Sequence, residues 1–288
     1  MTTDSPMETA NHTPTARGLI EHTLHMRAAA YSVVQECLRL QVGAPPQSRL
    51  ARLFGADPIT PSARSWYRGA LGEIAVAAIL RELGPDWFVL NAVPLGAEDS
   101  CVDHILIGPP GVFAINAENH SGHEVWVSGG VFMVDWEKRQ CIGDAEREAD
   151  RASTLLSDAV GVPIDVTPCI VVVDPRTLTI AKPPRRVAVL TPRQLRGWVT
   201  GLRPINSPHT VAFLGMFAEE RSTWHEQRSV YGEARQHVLR FQRLQSEVAH
   251  ARRRRIGWTT GGIVVVWCAF IASLGGVAIG LASLLLPR

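Results

Sequence analysis

The stretch Val102-Asp103-His104-Ile105-Leu106-Ile107-Gly108-Pro109-Pro110-Gly111-Val112-Phe113-Ala114-Ile115-Asn116-Ala117-Glu118 decides the fold. Two apolar runs, 102–107 and 112–117, are built from the Val, Ile and Phe that suit a pleated, half-buried surface. Between them Gly-Pro-Pro-Gly is a strong turn signal, so the stretch predicts two adjacent strands closed by a tight connection. Side chains alternate faces along a strand, which puts Asn116 and Glu118 on one side of the second.

The flanks extend this pattern. Upstream, Trp87 to Val93 reads as another strand, and Trp66 to Leu83 as a helix with a broad apolar face, stopped by Gly84-Pro85. Downstream, Val125 to Val127 and Val131 to Val134 bracket Ser128-Gly129-Gly130 as a hairpin. Ala145 to Val160 is a second helix, with small and apolar residues recurring along one face. Cys169 to Val173 has the continuous apolar character of a buried strand. Val187 to Leu190 is a further strand, and Thr191-Pro192 opens a helix. This order predicts an α/β fold, a mixed sheet flanked by helices. Around it we expect a disordered tail over 1–18, a helical N-terminal extension over 19–64, the main domain over 65–202, a helical stalk over 203–255 and a transmembrane helix over 256–286.

The membrane expectation rests on 31 consecutive uncharged residues, Ile256 to Leu286. About 20 apolar residues cross the hydrocarbon core as a helix. Arg252, Arg253, Arg254 and Arg255 precede the segment, and Trp258 stands at its start. The positive-inside rule places that side in the cytoplasm, so a tail-anchored protein of the cytoplasmic membrane is expected. Gly276 and Gly280 form a small-residue stripe that would let two spans approach closely, giving a homodimer as one expected arrangement.

A net charge of +2 points to no partner by itself. The type of cation is more informative, because Lys138 and Lys182 are the only lysines among 29 basic side chains. Five scattered cysteines without a CxxC pair suit a reducing compartment rather than a disulfide framework. No phosphate-binding glycine loop, G-x-S-x-G elbow or H-E-x-x-H motif occurs. Cys101, His104, His120 and His123 have spacing that suggests zinc, but Cys101 and His104 lie three apart on or beside a strand and should face opposite sides.

Three segments fit together in order and spacing: Gly69-Ala70-Leu71-Gly72-Glu73 on the first helix, the Asp103 strand, and Gly111 to Gly122 with its Asn119-His120-Ser121-Gly122 ending. They resemble the NERD (nuclease-related) domain over roughly 67–199, a family grouped with the restriction-endonuclease-like PD-(D/E)xK nucleases. The resemblance implies a restriction-endonuclease-like fold and a metal-assisted phosphodiester hydrolase. In that class a helix glutamate, a strand aspartate and a second strand acid gather Mg²⁺, for which hard oxygen ligands are suited. A lysine two residues beyond the second acid shares its strand face and assists the nucleophile or the developing charge.

Carried over by position, Glu73 matches the helix acid and Asp103 the first strand acid. The pattern then departs from the family: Asn116 stands where the second acid is expected, and Glu118 where the lysine is. Glu118 lies on the face of Asn116 and is the candidate to supply the missing carboxylate, giving Glu73, Asp103 and Glu118 as the expected metal set. Neither lysine has a sequence reason to enter the site, and Arg68 is the candidate replacement charge, though a poor base. Glu146, Arg147, Glu148, Asp150 and Arg151, where related nucleases often carry a glutamine, read as a solvated helix face. The expectation is thus a membrane-tethered, catalytically impaired module that binds nucleic acid or a protein partner, with no metal if the site is inactive. The alternative is an active Mg²⁺-dependent nuclease with a rearranged acid set.

Overall fold

The computed structural model describes Leu24 and residues 27–96, 101–225 and 231–285, the last with several side chains left out. Two compact units emerge. The larger comprises 1–35 and 65–236, the smaller 36–64 and 237–288. The predicted tail over 1–18 lies outside the described residues. Of the predicted N-terminal helix, the part from Tyr31 is helical: α1 is Tyr31–Val42, and α2 is the single turn Arg49–Leu53.

From α3 (Arg64–Arg81) the larger unit continues with β1 (Phe88–Pro94), β2 (Cys101–Gly108) and β3 (Gly111–Asn119). Then come β4 (Glu124–Ser128), β5 (Val131–Val134), β6 (Glu137–Arg139) and α4 (Cys141–Val160). The chain continues through β7 (Val166–Val173), β8 (Thr177–Lys182), β9 (Ala188–Leu190), α5 (Pro192–Gly201) and α6 (Pro208–Glu219). A short 3-10 turn (Arg221–Trp224) precedes the long helix α7 (Tyr231–Leu285).

Two mixed sheets form, ordered β1-β2-β3-β7-β9 and β6-β5-β4-β8. The expected Gly-Pro-Pro-Gly connection is present, since β2 and β3 pair antiparallel from Gly108↔Gly111 to His104↔Ile115. On its other edge β3 runs parallel to β7 from Val112↔Val166 to Asn119↔Val173. Parallel pairing needs a long crossover, and α4 lies within it.

The five-stranded sheet is covered on both faces. Ile105, Ile107, Val112 and Ala114 pack with Ala149, Ala152, Leu155 and Leu156 of α4 and with Val211, Leu214, Ala218 and Trp224. The alternate residues Leu106, Phe113 and Ile115 pack with Val76 and Leu80 of α3 and Leu195 and Val199 of α5. Burial on both faces explains why the strands read as continuous apolar runs.

Two expectations need correction. Residues 208–224 are not the start of a stalk, because their apolar face completes the core, with the Trp224 indole wholly buried and donating to the Ala218 carbonyl at 2.8 Å. The order of elements read from the sequence also lacked a strand between residues 169–173 and 187–190, where β8 pairs parallel with β4.

In the smaller unit, α2 and the turn after it lie against α7. Trp258 donates its indole N–H to the Leu53 carbonyl at 2.9 Å, and its ring centroid is 5.1 Å from that of Phe54. The expected membrane segment is helical to Leu285. Among the described residues no helix is long and apolar enough to cross a membrane, and most side chains beyond 263, with the Gly276–Gly280 stripe, lie outside them.

Candidate metal centre

The β2–β3 ladder ends at His104↔Ile115, and the strands part just beyond it. Asp103 occupies the opening. Its carboxylate accepts the Ala117 backbone N–H at 2.7 Å, replacing a rung that the neighbouring strand would otherwise supply. Across from it, the Asn116 side-chain oxygen faces the Asp103 N–H at 3.5 Å. A carboxylate used as a ladder partner is held firmly in place, which suits a ligand.

Glu73 arrives from α3. The helix crosses β3 at Gly72, where a Cβ would meet the Asn119 Cβ at 3.1 Å. A side chain there would need Asn119 to give by a few tenths of an ångström, and the next residue, Glu73, is buried, 4% exposed, with a hydrogen bond from the Ala30 backbone. Burial raises the Glu73 pKa to about 7. Burial, with Glu73, Glu118 and Glu148 nearby, pushes Asp103 well above the usual carboxylate range. His104, beside them on β2, is fully buried and bonded to Asn91 at 2.9 Å, and burial lowers its pKa to about 3.

Glu148 is the residue the sequence reading missed. It reaches the site from α4, where its carboxylate accepts the Asn116 amide N–H. Burial raises its pKa as well. A carboxylate therefore stands against Asn116, at the place where the strand acid is lost. The signal lay in the helix register, since Ala145, Ala149 and Ala152 mark a buried face of α4 and Glu148 adjoins it.

Glu118 departs from its expected role. Close enough to raise Asp103 electrostatically, it nevertheless hydrogen-bonds to the Cys141 thiol and lies 3.6 Å from His120 Nε2. Among the described residues, Glu73, Asp103 and Glu118 do not bring ligand atoms within 4.8 Å of one another, so the predicted metal set does not close. The zinc spacing is dispersed too: His104 bonds Asn91, and His123 pairs with Asp135 at 2.6 Å.

No lysine enters: Lys138 is exposed on β6 and Lys182 on β8. Arginines come closer. A cavity of about 390 Å³ beside the centre is lined by Arg68, Arg139, His120 and His123, among others.

Neighbouring buried carboxylates with raised pKa values form a site short of positive charge. A divalent cation fits that deficit, and Mg²⁺ needs only one or two carboxylates while keeping several waters. The chemistry of Glu73 and Asp103 thus fits the metal that the nuclease resemblance implies. Glu73 and Asp103 stand at the positions that the resemblance assigns to acids, Glu148 bonds to Asn116 from α4, and Glu118 stands at the lysine position.

Comparison with curated proteins and with solved structures gives no match. A family model does match, that of the nuclease-related domain (NERD), over residues 68–173. That range runs from α3, with Glu73, to the end of β7, and takes in Asp103, Asn116, Glu118 and Glu148. Residues 68–173 are thus similar to the nuclease-related (NERD) domain.

Proposed function

We propose that the chain is a membrane-tethered NERD module that binds a divalent metal at Glu73 and Asp103 and, beside it, the phosphates of nucleic acid, with weak strand cleavage. The observation that carries this reading is the pair of buried acids, Glu73 and Asp103, brought together by Gly72 and the parted β2–β3 ladder. Mg²⁺ bound there would neutralise phosphate charge and lower the pKa of water. Asp103 is fixed by the Ala117 N–H, Glu73 by the Ala30 backbone, and Asn116 by Glu148. The adjoining cavity offers Arg68 to a backbone phosphate, while Arg139 there is paired with Glu137 at 2.8 Å.

The strand face supports impairment. Glu118 stands where a cation would assist the nucleophile, and its charge opposes both a hydroxide and a phosphate. An active nuclease is the second reading, favoured by Glu148, which brings a carboxylate back to the Asn116 position.

Tethering is supported by the smaller unit. Leu50, Leu53, Phe54 and Trp258 are exposed, and Phe54 and Trp258 are in ring contact. Arg52 and Arg252 to Arg255 lie next to these residues in sequence, so an apolar and aromatic surface carries a basic flank. That combination suits the headgroup layer at the mouth of a span over 256–286.

The test uses the purified full chain in detergent with labelled single- and double-stranded DNA and RNA. Binding should strengthen with Mg²⁺ or Mn²⁺, weaken as salt rises, and lose its metal dependence in Asp103→Asn. Cleavage should be slow or absent. Rapid cleavage abolished by Asp103→Ala would overturn impairment and establish the second reading, and metal-independent binding would overturn the metal role.

A further inference from the structure

Beside the Glu73–Asp103 pair, three donors of different chemistry meet. Glu118 lies near the end of β3, His120 follows just beyond it, and Cys141 opens α4. One ligand atom from each lies within 4.8 Å of the other two. No other group of three such side chains closes so far among the described residues. Tetrahedral zinc, with bonds of about 2.0–2.3 Å, sets its ligand atoms roughly 3.5 Å apart, so small side-chain rotations complete the geometry.

The surroundings hold these donors. The His120 ring lies 5.7 Å from that of Phe132, and its backbone N–H donates to the Val173 carbonyl at 3.1 Å. Glu118 is fixed in the ladder opposite Val172, and the Cys141 thiol already donates to its carboxylate. Burial depresses the His120 pKa to about 4, leaving the neutral imidazole that a metal requires. Burial and Glu118 push the Cys141 thiol up, so the proton it shares with Glu118 must leave when a cation binds.

A sulfur, a nitrogen and a carboxylate oxygen favour Zn²⁺ over Mg²⁺. One thiolate and one carboxylate also balance its charge. Three protein ligands leave a fourth position, and His120 lines the cavity that also holds Arg68, His123 and Arg139.

We propose that Glu118, His120 and Cys141 bind one Zn²⁺ ion, whose fourth position takes an anionic oxygen of the phosphate class from the adjoining cavity, where Arg68 stands with the Arg139–Glu137 pair and Asp135. The site shares no ligand with the Glu73–Asp103 pair and does not depend on the reading given for that pair.

The experiment uses the full chain in detergent, stripped with chelator and reloaded with Zn²⁺ or Co²⁺. One Zn²⁺ per chain should survive dialysis. Cobalt should give a thiolate charge-transfer band that is lost in Cys141→Ser and His120→Ala and kept in Glu73→Gln and Asp103→Asn. On the unsubstituted chain, Zn²⁺ should slow alkylation of Cys141 roughly tenfold, read by peptide mass spectrometry, which needs no variant to fold. Failure to retain zinc, a cobalt band that persists in Cys141→Ser, or Cys141 alkylation indifferent to zinc would each overturn the proposal. Inorganic phosphate should perturb the cobalt spectrum, and a spectrum unmoved by phosphate would overturn the open position.

Discussion

At the residue scale, the centre is governed by carboxylates held where charge is unwelcome. Glu73 has a folded pKa of about 7 against an ordinary 4.5. The fold therefore prefers it protonated. The stability gained from protonation is fully present below the ordinary value and is lost as pH rises through the folded one. The metal-free chain should melt higher at pH 5 than at pH 8 on this account, and Glu73→Gln should raise stability at pH 8 by about 1–3 kcal/mol. Thermal melts of both chains in chelator at the two pH values check this; a Glu73→Gln chain less stable at pH 8 would contradict it. Glu73 and Asp103 stood out in the sequence because each sits in a motif, Gly-x-x-Gly-Glu and Val-Asp-His. Glu148 did not. It stands among Glu146, Arg147 and Asp150, a run that looks solvated, and only the packing of α4 turns it toward Asn116. Glu118 was read correctly for its strand face, but its partners Cys141 and His120 come from the fold.

At the scale of elements, two features assemble the centre: the parting of β2 from β3, and the crossing of α3 over β3 at Gly72. A Cβ at Gly72 would crowd the Asn119 Cβ at 3.1 Å, and a β-branched side chain more so. Gly72→Val is therefore expected to cost about 1–3 kcal/mol of stability and to weaken metal binding, although it touches no ligand. Denaturant unfolding with and without Mn²⁺ reads both effects, and a variant with unchanged stability would show that the close crossing is unimportant. The β2–β3 pair, the β4–β5 hairpin, α4 and β7 were legible because their apolar periods are long or their turns carry glycine. Strand β8 was missed because it is mostly exposed, so Thr177 to Lys182 shows no buried face. Helix α6 was assigned to a stalk because sequence cannot tell which surface receives Val211, Leu214 and Ala218; the structure sends them to the core.

At the scale of the molecule, the proposed tether runs through α7, which follows the NERD-like region in the chain. An unbroken helix from Tyr231 to Leu285 carries the tetra-arginine run and then the uncharged segment from Ile256. The full chain should sediment with membranes and resist alkaline carbonate extraction, whereas a chain ending at Arg255 should be released. Extraction of the full chain by carbonate would contradict insertion. Tethering would confine the centre to nucleic acid that reaches the membrane surface, which suits a binder more than a scavenging nuclease. The central claim remains that the altered acid set still holds a divalent cation. The most direct test is thermal unfolding of the full chain in detergent, in chelator and with Mn²⁺, beside Asp103→Asn. The account predicts that Mn²⁺ raises the Tm of the unaltered chain and leaves that of Asp103→Asn nearly unmoved. Equal shifts in both chains, or none in either, would contradict it.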